Sequence, residues 1–133
     1  MDSGPFETVG KVYPSEEDTV LVMNPPGDIY GGAHLYAFTP CLGFNKGNTT
    51  YCDNTVEMIM LQFIQKNDDG TIIPGVQSEQ VVLALIDRHK KMNNRFPSAQ
   101  GIAQIATLEA FLELSKLRVD ERIARDVMGE LKR

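Results

Sequence analysis

Several absences narrow the possibilities for this 133-residue chain. No apolar run approaches the roughly 18 residues that a membrane-spanning helix needs, so no membrane partner is expected. Only two cysteines occur, Cys41 and Cys52. They form no CxxC pair and have no histidine beside them, and they read as small buried hydrophobes in a reducing compartment. The first residues, Met-Asp-Ser-Gly-Pro-Phe-Glu, are acidic without an apolar core. No secretory leader is read there, and the expected location is cytoplasmic. Gly27, Gly31 and Gly32 are not followed by Gly-Lys-Ser/Thr, so they make no P-loop. No Ser/His/Asp or Cys/His arrangement is suggested, and no carboxylate pair has a helical setting suited to general acid–base work. Neither an enzyme, a cofactor nor a metal site is expected.

What is present suits a soluble globular domain, with 42% hydrophobic and 23% charged residues. That balance excludes a wholly disordered chain, a collagen-like chain and a disulfide-dense mini-protein. The net charge of −5 is unevenly spread. Residues 1–77 carry three basic side chains against ten acidic ones, a balance of −7, and residues 78–133 carry ten against eight, a balance of +2. An acidic protein lacks the broad basic surface that counterion release from duplex nucleic acid requires, so no duplex partner is expected. A small phosphorylated ligand in one local pocket remains compatible with this charge.

The chain changes character near residue 77, before which six of seven prolines and nine of eleven glycines fall. The expected fold class is α+β: a small β-rich domain over 1–77, followed by an antiparallel two-helix hairpin over 78–133. Thr19–Met23, Ala33–Thr39 and Val56–Gln65 read as strands, the last apolar on both faces. Asn67-Asp68-Asp69-Gly70 reads as a turn into Thr71-Ile72-Ile73. The Asn-, Gly- and Thr-rich segment 40–55 reads as a loop. From Ser78, expected to cap a helix, Val82, Leu85, Ile86, His89 and Met92 keep helical spacing to about Arg95. Pro97 breaks the chain, and a second helix starts near Ser98 with the stripe Ile105, Leu108, Leu112, Val119, Ile123 and Val127. At 1.5 Å per residue it is about 45 Å long, longer than its partner helix, and must overhang. Apolar Ile123 and Val127 on the overhang need cover, for which a homo-oligomer is the economical source.

The constellation with chemical meaning is Arg118, Arg122 and Arg125, spaced i, i+4 and i+7 on one helical face. Leu114, Phe111, Thr107 and Gln104 extend that face towards the helix start. A base packs on the apolar section and phosphates take bidentate hydrogen bonds from arginine, which suits a nucleotide. The same spacing also describes a solvated basic stripe paired with Asp120, Glu121 and Asp126, and spacing alone favours that plainer reading. His34 and His89 read as a strand-face and a helix-face histidine.

Read as one string, Phe96-Pro97-Ser98, Leu108-Glu109, Leu112, Arg118, Arg122, Arg125, Val127 and Gly129 resembles the C-terminal hairpin shared by two families of phage immune-evasion proteins. These are the Thoeris anti-defence proteins of the first type and the second anti-CBASS proteins. The resemblance implies a β-rich domain followed by a helical hairpin, assembled into a homo-oligomer, commonly a hexamer, in the infected bacterial host cell. It implies a sponge that binds cyclic ADP-ribose isomers, and in some members cyclic di- or trinucleotides, without cleaving them. The ligand-contacting positions it implies are Arg118, Arg122 and Arg125, with Met92 and Phe96 near the end of the first helix. Met92 stands where the family has a base-stacking phenylalanine, and Gly101 where it has a hydrogen-bonding asparagine. The competing expectation is a structural or protein-binding phage protein that uses the hairpin only for assembly.

Overall fold

The computed structural model describes residues 6–12, 18–25, 28–45, 48–51 and 57–131. The chain divides into two compact units, Met1–Val76 and Gln77–Arg133. The first is β-rich and the second is a two-helix hairpin, as expected for the α+β class.

Four strands of the first unit, β1 (Phe6–Gly10), β2 (Val20–Met23), β3 (Leu35–Phe38) and β6 (Ile59–Gln62), form an antiparallel sheet in the order β1-β2-β3-β6. β2 is built from Val20, Leu21, Val22 and Met23, a run that suits the pleated, half-buried environment of a central strand. Its Leu21 is paired with Ala37 of β3, which is paired in turn with Met60 of β6. Ala37, at the centre of this ladder, is completely buried. Cys41–Asn45 and Asn48–Tyr51 are strands β4 and β5, which among the described residues pair only with each other. Strand structure therefore lies inside the segment expected to be a loop.

The long strand expected over 56–65 is interrupted. After β6, Phe63 makes a parallel bridge to Val76, and the chain re-enters extended structure only at β7 (Gln65–Lys66), paired with β8 (Ile72–Ile73). Val76 threads here with its N–H donated to the Gln62 carbonyl at 2.9 Å. Gly75 makes this possible, because a β-carbon there would stand 2.5 Å from the Gln62 carbonyl oxygen. The 67–70 turn forms as expected, with Gly70 at φ +90° and the Asp69 carboxylate accepting from both the Thr71 N–H and its hydroxyl. Those bonds, the hydroxyl first, hold the Asp69 carboxyl below its ordinary range.

The second unit comprises α1 (Ser78–Arg95) and α2 (Ala99–Leu131). Ser78 is the first helical residue rather than the cap; the cap is Gln77, whose N–H donates to Gln80 Oε1 at 2.8 Å. Val82, Ile86, His89 and Asn93 on α1, and Ile105, Leu108, Leu112 and Ser115 on α2, are the less exposed positions at helical spacing. Lys90 Nζ meets Glu109 Oε2 at 3.4 Å, which marks the antiparallel register of the two helices. With equal rise on both helices, Ser78 lies opposite about residue 120, leaving about the last ten residues of α2 beyond the start of α1. On that overhang Ile123 is 55% exposed; the Val127 side chain lies outside the described residues. Among the described residues no large side chain is fully buried, and no helix is long and apolar enough to cross a membrane.

Candidate functional site

The five residues singled out from the sequence fall into two groups. Met92 and Phe96 lie at the elbow of the hairpin, and Arg118, Arg122 and Arg125 lie far along α2. From Gly101, in the first turn of α2, to Arg118 is about 25 Å of helix. Across the hairpin, with Lys90 level with Glu109, Met92 lies about 16 Å and Phe96 about 22 Å along the axis from Arg118, so within one hairpin the two groups do not touch.

The elbow is built by a short relay of hydrogen bonds. Pro97 cannot continue α1, and the Phe96 N–H closes its last turn on the Met92 carbonyl at 3.0 Å. The Ser98 N–H donates to Asn93 Oδ1 at 3.0 Å, and the Gly101 N–H donates to Ser98 Oγ at 2.9 Å, capping α2. Around this relay is a surface cavity of about 450 Å³, lined by His89, Met92, Asn93, Phe96, Gly101 and Gln104 among others. Phe96 is 73% exposed, and the Arg95 guanidinium lies 5.4 Å from its ring centroid. The elbow thus offers apolar and aromatic surface beside a cation, a combination that accepts a planar ring carrying negative charge.

The arginine row is exposed along its length. Among the described residues none of its guanidinium groups forms an ion pair; the pairs present are His34–Asp28, Lys90–Glu109, Lys91–Asp87 and Lys116–Glu113. The pairing with Asp120, Glu121 and Asp126 that a solvated stripe would use is not formed. Exposed Phe111 and Leu114 precede Arg118 on the same face, so an apolar step about 10 Å long leads into three unpaired cations. That is the geometry on which a base and its phosphates can be held together.

Two other expectations meet different surroundings. Cys41 is exposed rather than buried, in a β4–β5 hairpin that forms a two-stranded sheet with no further strand on either edge among the described residues; Cys52 lies outside the described residues. His34 is engaged within its own unit. Its Nδ1 and Asp28 Oδ2 are both buried and face each other at 3.5 Å, and Tyr30 packs edge-on against the imidazole with ring centroids 5.1 Å apart. The Asp28 side chain is 2% exposed. The Tyr30 N–H donated to Asp28 Oδ1 at 2.9 Å, and secondarily His34, hold this carboxyl below its ordinary 3.8. His34 therefore ties down the 28–34 turn. Asn93, which spacing does not mark, is the elbow residue missed from the sequence: its part is defined by residues that meet only after the chain has turned.

No protein-family model matches the chain, and no curated protein matches it.

Proposed function

We propose that this protein is a phage immune-evasion protein that binds and sequesters small cyclic nucleotide signals without cleaving them. The ligand class is the cyclic ADP-ribose isomers, with cyclic di- and trinucleotides alongside. The observation that carries this reading is the row of Arg118, Arg122 and Arg125, free of ion pairs among the described residues and continuous with exposed Phe111 and Leu114. Unpaired guanidinium forks take phosphate oxygens without first giving up a carboxylate. Resemblance of the 96–129 segment to the anti-Thoeris and anti-CBASS hairpins supports the same ligand class.

The separation of the elbow from the arginine row adds a requirement. One ligand touches Met92 and Phe96 together with Arg118 and Arg122 only if two hairpins lie antiparallel, the elbow of one copy beside the arginines of the next. Sequestration and homo-oligomer assembly are then one property, and a closed ring such as a hexamer satisfies every copy equally. Exposed Ile123, beyond the reach of α1, supplies apolar surface for that assembly. The protein works in the cytoplasm of the infected cell, where these signals are made.

The test is release. Cyclic ADP-ribose incubated with the protein should disappear from the free pool and return intact after heat denaturation. Recovery of a hydrolysed product instead would make the protein an enzyme and end the sponge reading.

A further inference from the structure

We infer that Asn93 selects the ligand at the elbow by offering a fixed amide donor to an acceptor atom on the edge of a planar ring lying against Met92 and Phe96. The inference rests on the binding reading above and assigns the residue that decides which ring is held.

The argument begins with what holds the carboxamide still. Its Oδ1 accepts the Ser98 N–H at 3.0 Å. A backbone N–H can only donate, so the oxygen must face Ser98 and the amide orientation is settled by its partner. Ser98 is itself held, its Oγ accepting the Gly101 N–H. Gly101 then makes room. A β-carbon at position 101 would stand 2.5 Å from Asn93 Oδ1 and 3.1 Å from Ser98 Oγ. Glycine inside a helix costs backbone entropy that helical geometry does not require, and here the space it leaves is taken by the Asn93 carboxamide. An amide drawn from α1 thus sits against α2 where residue 101 has no side chain.

What remains of Asn93 is its NH2 group. Nδ2 has no hydrogen-bond partner among the described residues, and Asn93 is half-buried where its immediate neighbours Met92 and Asn94 are exposed. It lines the cavity together with the two apolar side chains. The rest of the lining is mixed: two cations, Arg95 and Lys91, the Gln104 amide, the His89 imidazole and the Ser98–Gly101 turn. A cavity of this make-up takes a planar heteroaromatic ring with a lone pair on its edge and a negative charge attached, which describes a nucleotide. A ring that presents only donors at that edge is rejected, because an amide NH2 cannot accept from it.

Two substitutions separate this role from capping. Asn93→Asp keeps the Oδ1 that Ser98 uses and replaces the donor by an acceptor. Gly101→Ala adds no charge but pushes the Asn93 carboxamide out of place. Both are titrated, as full-length protein, with cyclic ADP-ribose and with 3′,3′-cyclic di-AMP in a calorimeter, and melted alongside the unaltered chain. The expected result is at least a tenfold loss of affinity in each variant for the adenine ligand that the unaltered chain binds, with the melting temperature of Asn93→Asp preserved. Unchanged affinity in both variants makes Asn93 a cap only and overturns the inference while leaving sequestration standing. Loss in Asn93→Asp alone is a charge effect and overturns the donor assignment as well. Failure of the unaltered chain to bind either probe overturns the binding reading and this inference together.

Discussion

Replacing Arg118 or Arg122 by alanine removes a guanidinium that is exposed and, among the described residues, makes no ion pair. Nothing in the fold leans on it, so the stability change belongs with ordinary surface substitutions, within about 0.5 kcal/mol. Ligand binding is a different matter. A hydrogen bond to a charged group contributes about 1.5–3 kcal/mol, and each 1.4 kcal/mol is a factor of ten in affinity. Each substitution should therefore weaken binding of a cyclic nucleotide by about ten- to a hundred-fold. Arg→Lys at the same positions should weaken it too, because an ammonium is a point charge that cannot reproduce the planar fork. Raising the salt should weaken the unaltered protein more than either alanine variant, since fewer phosphate contacts remain to be screened. Calorimetric titration with cyclic ADP-ribose and cyclic dinucleotides gives the affinities, and melting curves of the same samples give the stabilities. Unchanged affinity in both alanine variants would refute the reasoning and return the row to a solvated stripe. A marked drop in melting temperature would refute it differently, by showing that the arginines serve the fold.

Light scattering at micromolar concentration should give a mass several times the 14.8 kDa of the chain, and Ile123→Asp, which charges the exposed overhang, should reduce that mass; a monomer in the unaltered protein would remove the shared pocket. Ile86→Ala empties the one buried hydrophobic position of the hairpin among the described residues and should cost about 2–4 kcal/mol in denaturant unfolding. The exposed Lys90–Glu109 pair should contribute no more than about 1 kcal/mol in a double-mutant cycle. The Asp28 carboxyl, held below 3.8 in the folded chain, stabilises the fold above its unfolded value and loses that contribution as pH falls through the folded one. The melting-temperature gap between the unaltered chain and Asp28→Asn should therefore be widest near neutrality and close in acid; a gap independent of pH would rule out the charge as its cause.

The helices were legible because their signal is local and repeated. Ser78 to Arg95 keeps its apolar residues three and four apart, and Pro97 marks the elbow by simple sterics. β2 and β3 were legible for a similar reason, being short runs of β-branched and aromatic residues between turn formers. The strands that escaped lack such a code. β1 carries Glu7, Thr8 and Gly10 and is exposed along most of its length, and β4 and β5 are a two-stranded hairpin with little apolar periodicity to protect. The continuous strand read over 56–65 failed through a contact no local pattern encodes. Val76 arrives from eleven residues beyond Gln65 to bridge Phe63, and only Gly75 gives the warning.

The same distinction runs through the candidate site. Arg118, Arg122 and Arg125 could be placed on one face by counting, since their relation lies within a single helix. Met92 and Phe96 could be placed near the elbow, and with the Lys90–Glu109 register the rise per residue puts them about 16 and 22 Å along the axis from Arg118. What counting could not reach is the crossing of the elbow, where Ser98 fixes Asn93 and Gly101 leaves it room. A glycine in a helix reads as a weak point when its own neighbours are the whole context. Once α1 and α2 are folded together, the missing β-carbon at 101 and the carboxamide at 93 become complementary parts of one surface. If Asn93 holds the ligand as proposed, position 101 bears on binding only through position 93, so exchanging side chains between them tests the pair as a unit where single substitutions test each half.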